Sequence, residues 1–169
     1  MLDIPCGDFN WMRLVLANEN AKKIKYIGGD VVKQMIDFNN DKYSSDNISF
    51  EVLDLTNSNL PTTDVIFCKD CLQHLSYEKV WEAINNITKS GAKYLLVTTY
   101  PKTLRNWDIL DGDYRPLNLR KPPFSFTEPI LSFKEKYSKD ESDKTMILYD
   151  LSKTKLSEAC LQSNFNDKH

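Results

Sequence analysis

The sequence predicts an α/β fold built on a mostly parallel sheet, and three features support this. Short apolar runs rich in β-branched and aromatic residues alternate with stretches of helical spacing, which is the pattern of β-α-β units. One of those runs, Val65-Ile66-Phe67-Cys68, is apolar throughout, as suits a strand buried on both faces of a parallel sheet. The chain has 169 residues, enough for one domain at roughly 100–200 residues each. Its 41% hydrophobic and 27% charged residues fit a packed core rather than a disordered chain.

The elements follow in order. Residues 1–4 form the first apolar run, broken by Pro5 and Gly7. Trp11, Leu14, Val15 and Asn18 then recur at i, i+3, i+4 and i+7, with Leu16 widening the apolar side, which predicts a helix. Residues 25–30 read as a second strand ending in the carboxylate of Asp30, and Val31, Val32, Met35, Ile36 and Asn39 continue at helical spacing. The Asp/Asn/Ser-rich stretch 39–47 reads as a connection. Residues 49–53 alternate as a third strand, closed by Asp54-Leu55, and residues 64–68 form the fourth. Ser76 is placed as an N-cap with Glu78 in the first turn. It opens a helix whose Tyr77, Val80, Trp81, Ile84 and Ile87 share a face and whose end is marked by Gly91. Residues 93–100 make a fifth strand, stopped by Pro101.

After Pro101 the rhythm changes. Residues 102–128 contain Pro116, Pro122 and Pro123 and show no apolar period, and structureless loops of this length in compact domains are usually functional or disordered. Residues 129–137 and 144–151 lie too close together for a crossover helix, so they read as an antiparallel hairpin. One domain over residues 1–151 is expected, followed by a C-terminal helix or tail over 152–169. A central strand with no lead-in is short against the usual ~5–6 residues, which raises the expectation of a lost upstream segment.

Composition narrows the function classes. Twenty-two Lys and Arg stand against 24 Asp and Glu, a net charge of −2, so there is no global field to hold a polyphosphate or an anionic bilayer. No nucleic-acid partner is expected. No apolar run approaches the ~20 residues of a membrane span, and the start lacks the basic and apolar regions of a secretory signal, so the expectation is no membrane and a cytoplasmic address. Four cysteines are too few for a disulfide framework. Cys68-Lys69-Asp70-Cys71 matches C-x-x-C, but with no second pair and only His74 and His169 in the chain, buried thiols are expected and no metal.

In open α/β sheets ligands sit outside the carboxyl ends of the strands. The first strand ends in Asp3-Ile4-Pro5-Cys6-Gly7-Asp8-Phe9-Asn10-Trp11, where Gly7 lets backbone approach a ligand. Asp30 lies 23 residues past Gly7 (30 − 7), near the ~20-residue offset at which an acid takes ribose hydroxyls. Asp54 and Leu55 suit an exocyclic amine and an apolar ring face. A dinucleotide needs a glycine-rich turn for its pyrophosphate, whereas this turn has one glycine and the anionic Asp8. S-adenosylmethionine has no phosphate and carries a sulfonium and an ammonium, for which Asp3 and Asp8 are attractive.

With these residues the chain resembles the class I S-adenosylmethionine-dependent methyltransferases, within them the bacterial-type proteins opening Asp-x-Pro-Cys-Gly-Asp-Phe-Asn-Trp. The resemblance continues through Tyr-Ile-Gly-Gly-Asp at 26–30, Phe-Glu-Val-Leu-Asp-Leu at 50–55, Cys-Lys-Asp-Cys-Leu-Gln-His-Leu-Ser at 68–76 and Tyr-Arg-Pro-Leu-Asn-Leu at 114–119. It implies a Rossmann-like sheet of seven strands ordered 3-2-1-4-5-7-6, the last antiparallel, with helices on both faces. It also implies Asp3, Cys6, Gly7, Asp8, Asn10 and Trp11 around the methionyl part of S-adenosylmethionine, Asp30 on the ribose, Asp54 and Leu55 at adenine, and the Lys69 backbone near the ammonium. The departure lies at the N-terminus, where family members carry helical sequence that helps cover the cofactor.

Methyl transfer needs alignment of the acceptor and removal of its proton if it has one. His74 and Asp70, just past the fourth strand, are the candidates, and imidazole titrates in the useful range; the competing reading has His74 bonding backbone and fixing its loop. In the 102–128 loop Asn106, Asp108, Tyr114 and Arg115 are the candidate acceptor contacts. Arg115 suits a bidentate clamp on an anion or a loop-to-core ion pair, and Trp107, Phe124 and Phe126 suit either a lid or core anchors. The expected activity is methylation of a small-molecule polar acceptor on oxygen, such as a hydroxylated or sugar-like metabolite. The alternative is a truncated, non-catalytic relative that binds the cofactor or a partner without turnover.

Overall fold

The computed structural model describes residues 1–135 and 143–154. Its strands are β1 (Leu2–Asp3), β2 (Tyr26–Asp30), β3 (Ile48–Val52), β4 (Val65–Cys68), β5 (Tyr94–Thr99), β6 (Leu131–Lys134) and β7 (Thr145–Asp150). The helices are α1 (Met12–Leu16), α2 (Lys33–Tyr43) and α3 (Tyr77–Lys89), with 3₁₀ turns at Glu19–Ala21 and Leu72–His74. The sheet order is β3-β2-β1-β4-β5-β7-β6. Its first five strands in that order pair in parallel, and β7 is antiparallel to both β5 and β6.

The central strand has only two residues in ladder geometry, yet its path is held further in both directions. Met1 O accepts from Ile27 N at 2.9 Å, Ile4 N donates to Phe67 O at 2.9 Å and Cys6 N donates to Gly29 O at 2.8 Å. Leu2 and Ile4 point into the core beneath α3, while Asp3 points to the opposite face.

The α3 face carries the larger core. Val80, Trp81, Ile84 and Ile87 of α3 pack with Ile66, Leu95, Val97, Ile147 and Tyr149 of the strands. The Ser76 hydroxyl accepts from Lys79 N, and Gly91 takes a left-handed φ of +77° after the helix, so the chain signals at both ends are realised. Loop residues Leu117, Leu119, Phe124 and Phe126 complete this core; the two phenylalanines anchor the loop, whereas Trp107 is exposed.

The opposite face differs from its sequence pattern. The helix expected from Trp11, Leu14 and Val15 shrinks to the five residues of α1, and those three side chains are exposed while Met12 is the buried one. With so short a helix, tertiary packing of Phe9 and Met12 against Tyr26, Phe50 and Phe67 decides which side faces inward, and periodicity does not. The polar stretch 39–47 is also partly helix, since α2 runs to Tyr43. Its asparagines bridge elements: Asn39 Nδ2 donates to Gly7 O at 2.8 Å, and Asn40 exchanges bonds with both Phe50 O and Phe50 N. The C-terminal helix or tail expected over 152–169 lies outside the described residues from position 155 onward.

Gly28 is where backbone and side chain meet most closely. A Cβ built there sits 2.6 Å from Phe50 Cδ1 and 3.1 Å from Cys6 Cβ. Gly28→Ala is therefore expected to destabilise the fold by about 1–3 kcal/mol through overpacking, read as a lower urea midpoint at unchanged slope.

Candidate active site

A cavity of about 250 Å³ opens at the carboxyl ends of the adjacent strands β3, β2, β1 and β4. Ile4 and Pro5 enter from β1, Asp30 and Val31 from β2, Leu53, Asp54, Leu55 and Thr56 from β3, and Asp70, Cys71, His74 and Leu75 from β4. Its walls are mostly apolar, with carboxylates and one imidazole placed among them. Of the residues singled out in the sequence, Asp30, Asp54, Leu55, Asp70 and His74 line it together. Pro5, Thr56, Cys71 and Leu75 in the turns, and Ile4, Val31 and Leu53 at the strand ends, are lining residues not singled out for the site in the sequence; for the last three the apolar strand ends were the available signal.

Asp30 organises the entrance. It is buried, with Oδ2 accepting from Gly7 N at 3.1 Å and Oδ1 from Val32 N at 3.0 Å. The 23-residue spacing is thus a direct hydrogen bond, and Gly7 meets it in a left-handed conformation at φ +57° that glycine adopts without strain. Asp54 turns the end of β3, its Oδ1 accepting from Thr56 N at 2.8 Å and Thr56 Oγ1 at 2.7 Å.

Asp3 is buried beside this site. Tyr26 OH donates to its Oδ2 at 2.7 Å, while Oδ1 has no hydrogen-bond partner. Burial pushes its carboxyl up to about 7, with the Tyr26 bond opposing and Asp30 adding to the shift. An ammonium, which brings both N–H donors and positive charge, is the kind of group that would satisfy such an acceptor. Cys6, also buried, has its thiol pushed up to about 12 by burial and by Asp3 and Asp30, and stays neutral. Asp8, Asn10 and Trp11 are not part of the cavity wall: Asp8 accepts from Asn10 N and Nδ2 in an exposed turn, and Trp11 lies 5.7 Å from the Phe67 ring. The Lys69 ammonium pairs with Asp70 and Glu135.

The two candidate bases separate on geometry. Asp70 Oδ1 accepts from Lys144 at 2.6 Å and Oδ2 is paired with Lys69. Burial works against the charge, but the two ammonium groups outweigh it and hold the carboxyl below its ordinary range, so Asp70 is a poor proton acceptor. His74 Nδ1 lies 3.0 Å from Asp113 O. A carbonyl oxygen only accepts, so Nδ1 carries the proton and the neutral ring presents the Nε2 lone pair.

The long loop straps over the start of α3. Asp111 accepts from Ser76 N and Asp108 from Tyr77 N, each at 2.7 Å, and Gly112 N donates to His74 O at 2.8 Å. Tyr114 is half exposed with its ring 5.6 Å from that of His74. Two of the candidate acceptor contacts lie in the interior of the loop. Arg115 is fully buried, its Nη1 donating to Leu75 O at 2.6 Å and its guanidinium 5.1 Å over the Tyr77 ring, so it supports the loop from inside, while its Nε and Nη2 have no hydrogen-bond partner among the described residues. Asn106 is buried too, with Nδ2 donating to Asn118 O and Pro122 O and Oδ1 accepting from Asn118 N, which places its bonding inside the loop. No group of three or more His, Cys, Asp or Glu among the described residues could hold a metal ion. No helix among them is long and apolar enough to cross a membrane.

Comparison with known proteins places this geometry. Residues 1–91, more than half of the chain, match the family described as "Methyltransferase domain". No curated protein matches the sequence. Among solved structures, human N-acetylserotonin methyltransferase in complex with SAM aligns at TM-score 0.62 and 14% identity, over 89% of this chain and 46% of that one. The methyltransferase domain of bacterial CtHen1-CN aligns at 0.60 and 12%, over 88% of each chain. LepI in complex with SAM aligns at 0.64 and 9%, over 88% of this chain and 42% of LepI. The chain thus spans less than half the length of two of these proteins, and at such identities the likeness is one of fold.

Two outcomes test the electrostatics. Asp3 has a folded value above its unfolded 3.8, so its burial costs stability increasingly as pH rises between those values and fully above about 7. Asp3→Asn should therefore raise stability by about 1–3 kcal/mol at pH 8 and lose that gain toward pH 4, as thermal melts across pH would show. Arg115→Ala should destabilise the fold by about 2–4 kcal/mol, through lost packing and an open site beneath the loop. Chemical denaturation measures that cost.

Proposed function

We propose that this chain, which belongs to the methyltransferase-domain family, transfers a methyl group from S-adenosylmethionine to an oxygen of a small polar acceptor. The observation that carries the reading is the cavity at the strand ends. Asp30 and the apolar Val31, Leu53 and Leu55 meet there with His74, and the unsatisfied Asp3 oxygen is buried beside it. These residues fit the cofactor. Asp30 would take the ribose hydroxyls, and Asp54 would meet the exocyclic amine with Leu53 and Leu55 against the ring. Asp3 would face the cationic methionyl end. When bound, the cofactor supplies an electrophilic methyl carbon and a thioether leaving group.

The chain's own residues then do two things. The His74 and Tyr114 rings, with Asp108 and the strapped loop beyond, form one side of the acceptor's approach and help hold it in line with the methyl group, since orientation supplies most of the catalysis open to a displacement of this kind. His74 Nε2 would take the proton of the acceptor hydroxyl as that oxygen is methylated. Asp70, ionised between two lysines, contributes a fixed negative charge to the same wall.

The test is calorimetric titration with S-adenosylhomocysteine. The wild-type chain should bind, and Asp30→Ala should bind about 10–100-fold more weakly through loss of charge-assisted bonds worth roughly 1.5–3 kcal/mol. Absence of binding by the wild type overturns the reading. With an acceptor identified by transfer of labelled methyl, His74→Gln should leave S-adenosylhomocysteine affinity intact and lower turnover about 10²–10⁴-fold.

A further inference from the structure

We propose that Lys144, just before β7, is a positioning residue for the cavity, locking the Asp70 side chain and with it the wall that runs from Asp70 to Leu75. The inference rests on the cofactor reading above only for its ligand-binding consequence. Asp70 has a left-handed backbone, φ +54°, a conformation that costs a residue bearing a Cβ about 1 kcal/mol or more and persists only where its surroundings fix it. Three elements do so here. Thr98 Oγ1 of β5 accepts from Asp70 N at 3.0 Å. Gln73 Nε2 donates to Oδ1 at 3.1 Å from the following 3₁₀ turn. Lys144 reaches the same oxygen at 2.6 Å from the far hairpin.

The charges alternate across the joint. Lys69 pairs with Asp70 and also approaches Glu135 Oε2 at 3.3 Å, and Glu135 N donates to Lys144 O at 2.9 Å across the base of the hairpin. Lys144 and Glu135 are only 14% and 18% exposed, so solvent screens this array weakly. Among the described residues the other titratable groups facing this joint are the thiols of Cys68 and Cys71, with Asp3 within the field of Lys69 and His74 further along the wall. Without Lys144, one ammonium serves two carboxylates. Lys69 is then drawn between Asp70 and Glu135, and the strained Asp70 peptide loses the bond that ties it to the hairpin. The cavity wall formed by Cys71, His74 and Leu75 follows Asp70 directly in the chain, so it loses its anchor as well. The hairpin is in this way part of the site, although none of its described residues lines the cavity.

The experiment pairs carbon-detected NMR titration of the Asp70 carboxylate in the ligand-free protein with calorimetry using S-adenosylhomocysteine, on wild type, Lys144→Met and Lys144→Arg. Lys144→Met should raise the Asp70 midpoint by about one unit and weaken binding about tenfold, and Lys144→Arg should recover most of both, since it restores the cation. An unmoved midpoint or unmoved affinity in a folded Lys144→Met protein overturns the proposal. If the wild type does not bind S-adenosylhomocysteine, the cofactor reading fails, and the NMR arm still decides whether Lys144 holds Asp70. Should Lys144→Met not fold, Glu135→Gln gives the opposite sign: Lys69 is released to Asp70, so the Asp70 midpoint should fall, and a rise or no change overturns the proposal.

Discussion

The carboxylate of Asp30 is the constraint on which the rest of the site depends. From the end of β2 it accepts one bond from Gly7 N and another from Val32 N, joining the turn after the central strand to the start of α2. Each of those turns would otherwise leave a backbone donor unsatisfied near the core, a cost that buried polar groups rarely bear. Asn39 adds a second tie from α2 to the Gly7 carbonyl. The open ends of β1 and β2 are therefore tied to each other and to α2 by the chain's own groups, and the cavity is formed by the fold itself.

A second requirement is met by the chain between β5 and β6. A parallel strand of this sheet is usually followed by a helix that covers it, yet residues 101–130 form no helix or strand. They cover the face by inserting Leu117, Leu119, Phe124 and Phe126 into the α3 core. Their backbone is satisfied by Asn106 and Asn118, and their near end is tied to α3 through Asp108, Asp111 and Arg115. Anchoring of this kind leaves Tyr114 and the exposed stretch before it beside His74, where variation in the loop changes what approaches the cavity without disturbing the sheet.

Electrostatics divides the carboxylates into different roles by environment. Asp70 is stabilised as an anion by two ammonium groups, Asp3 is strained by burial with one oxygen unsatisfied, and Asp30 and Asp54 spend their bonds on backbone turns. All four are the same chemical group at the ends of neighbouring strands. Their different surroundings, and not their chemistry, set what each does in the fold.

The sequence by itself determined the strands, their near order in the chain, the helix from Tyr77 to Lys89 with both of its caps, and the set of strand ends that meet at the cavity. These are local properties: apolar periodicity, capping and turn chemistry act within a few residues of each other. It did not determine which side of Met12–Leu16 faces inward, that the helix continues past Asn39 and is cross-tied by Asn39 and Asn40, that Arg115 and Asn106 are interior supports, or that Lys144 reaches Asp70. In each case the deciding partner is distant in the chain: Phe67 for Trp11, Gly7 for Asn39, Leu75 for Arg115, and Asp70 for Lys144. A polar or charged side chain has the same local signature whether it awaits a ligand or a backbone group elsewhere in the fold. Only packing, by bringing the partner within about 3 Å and excluding water, decides which it is.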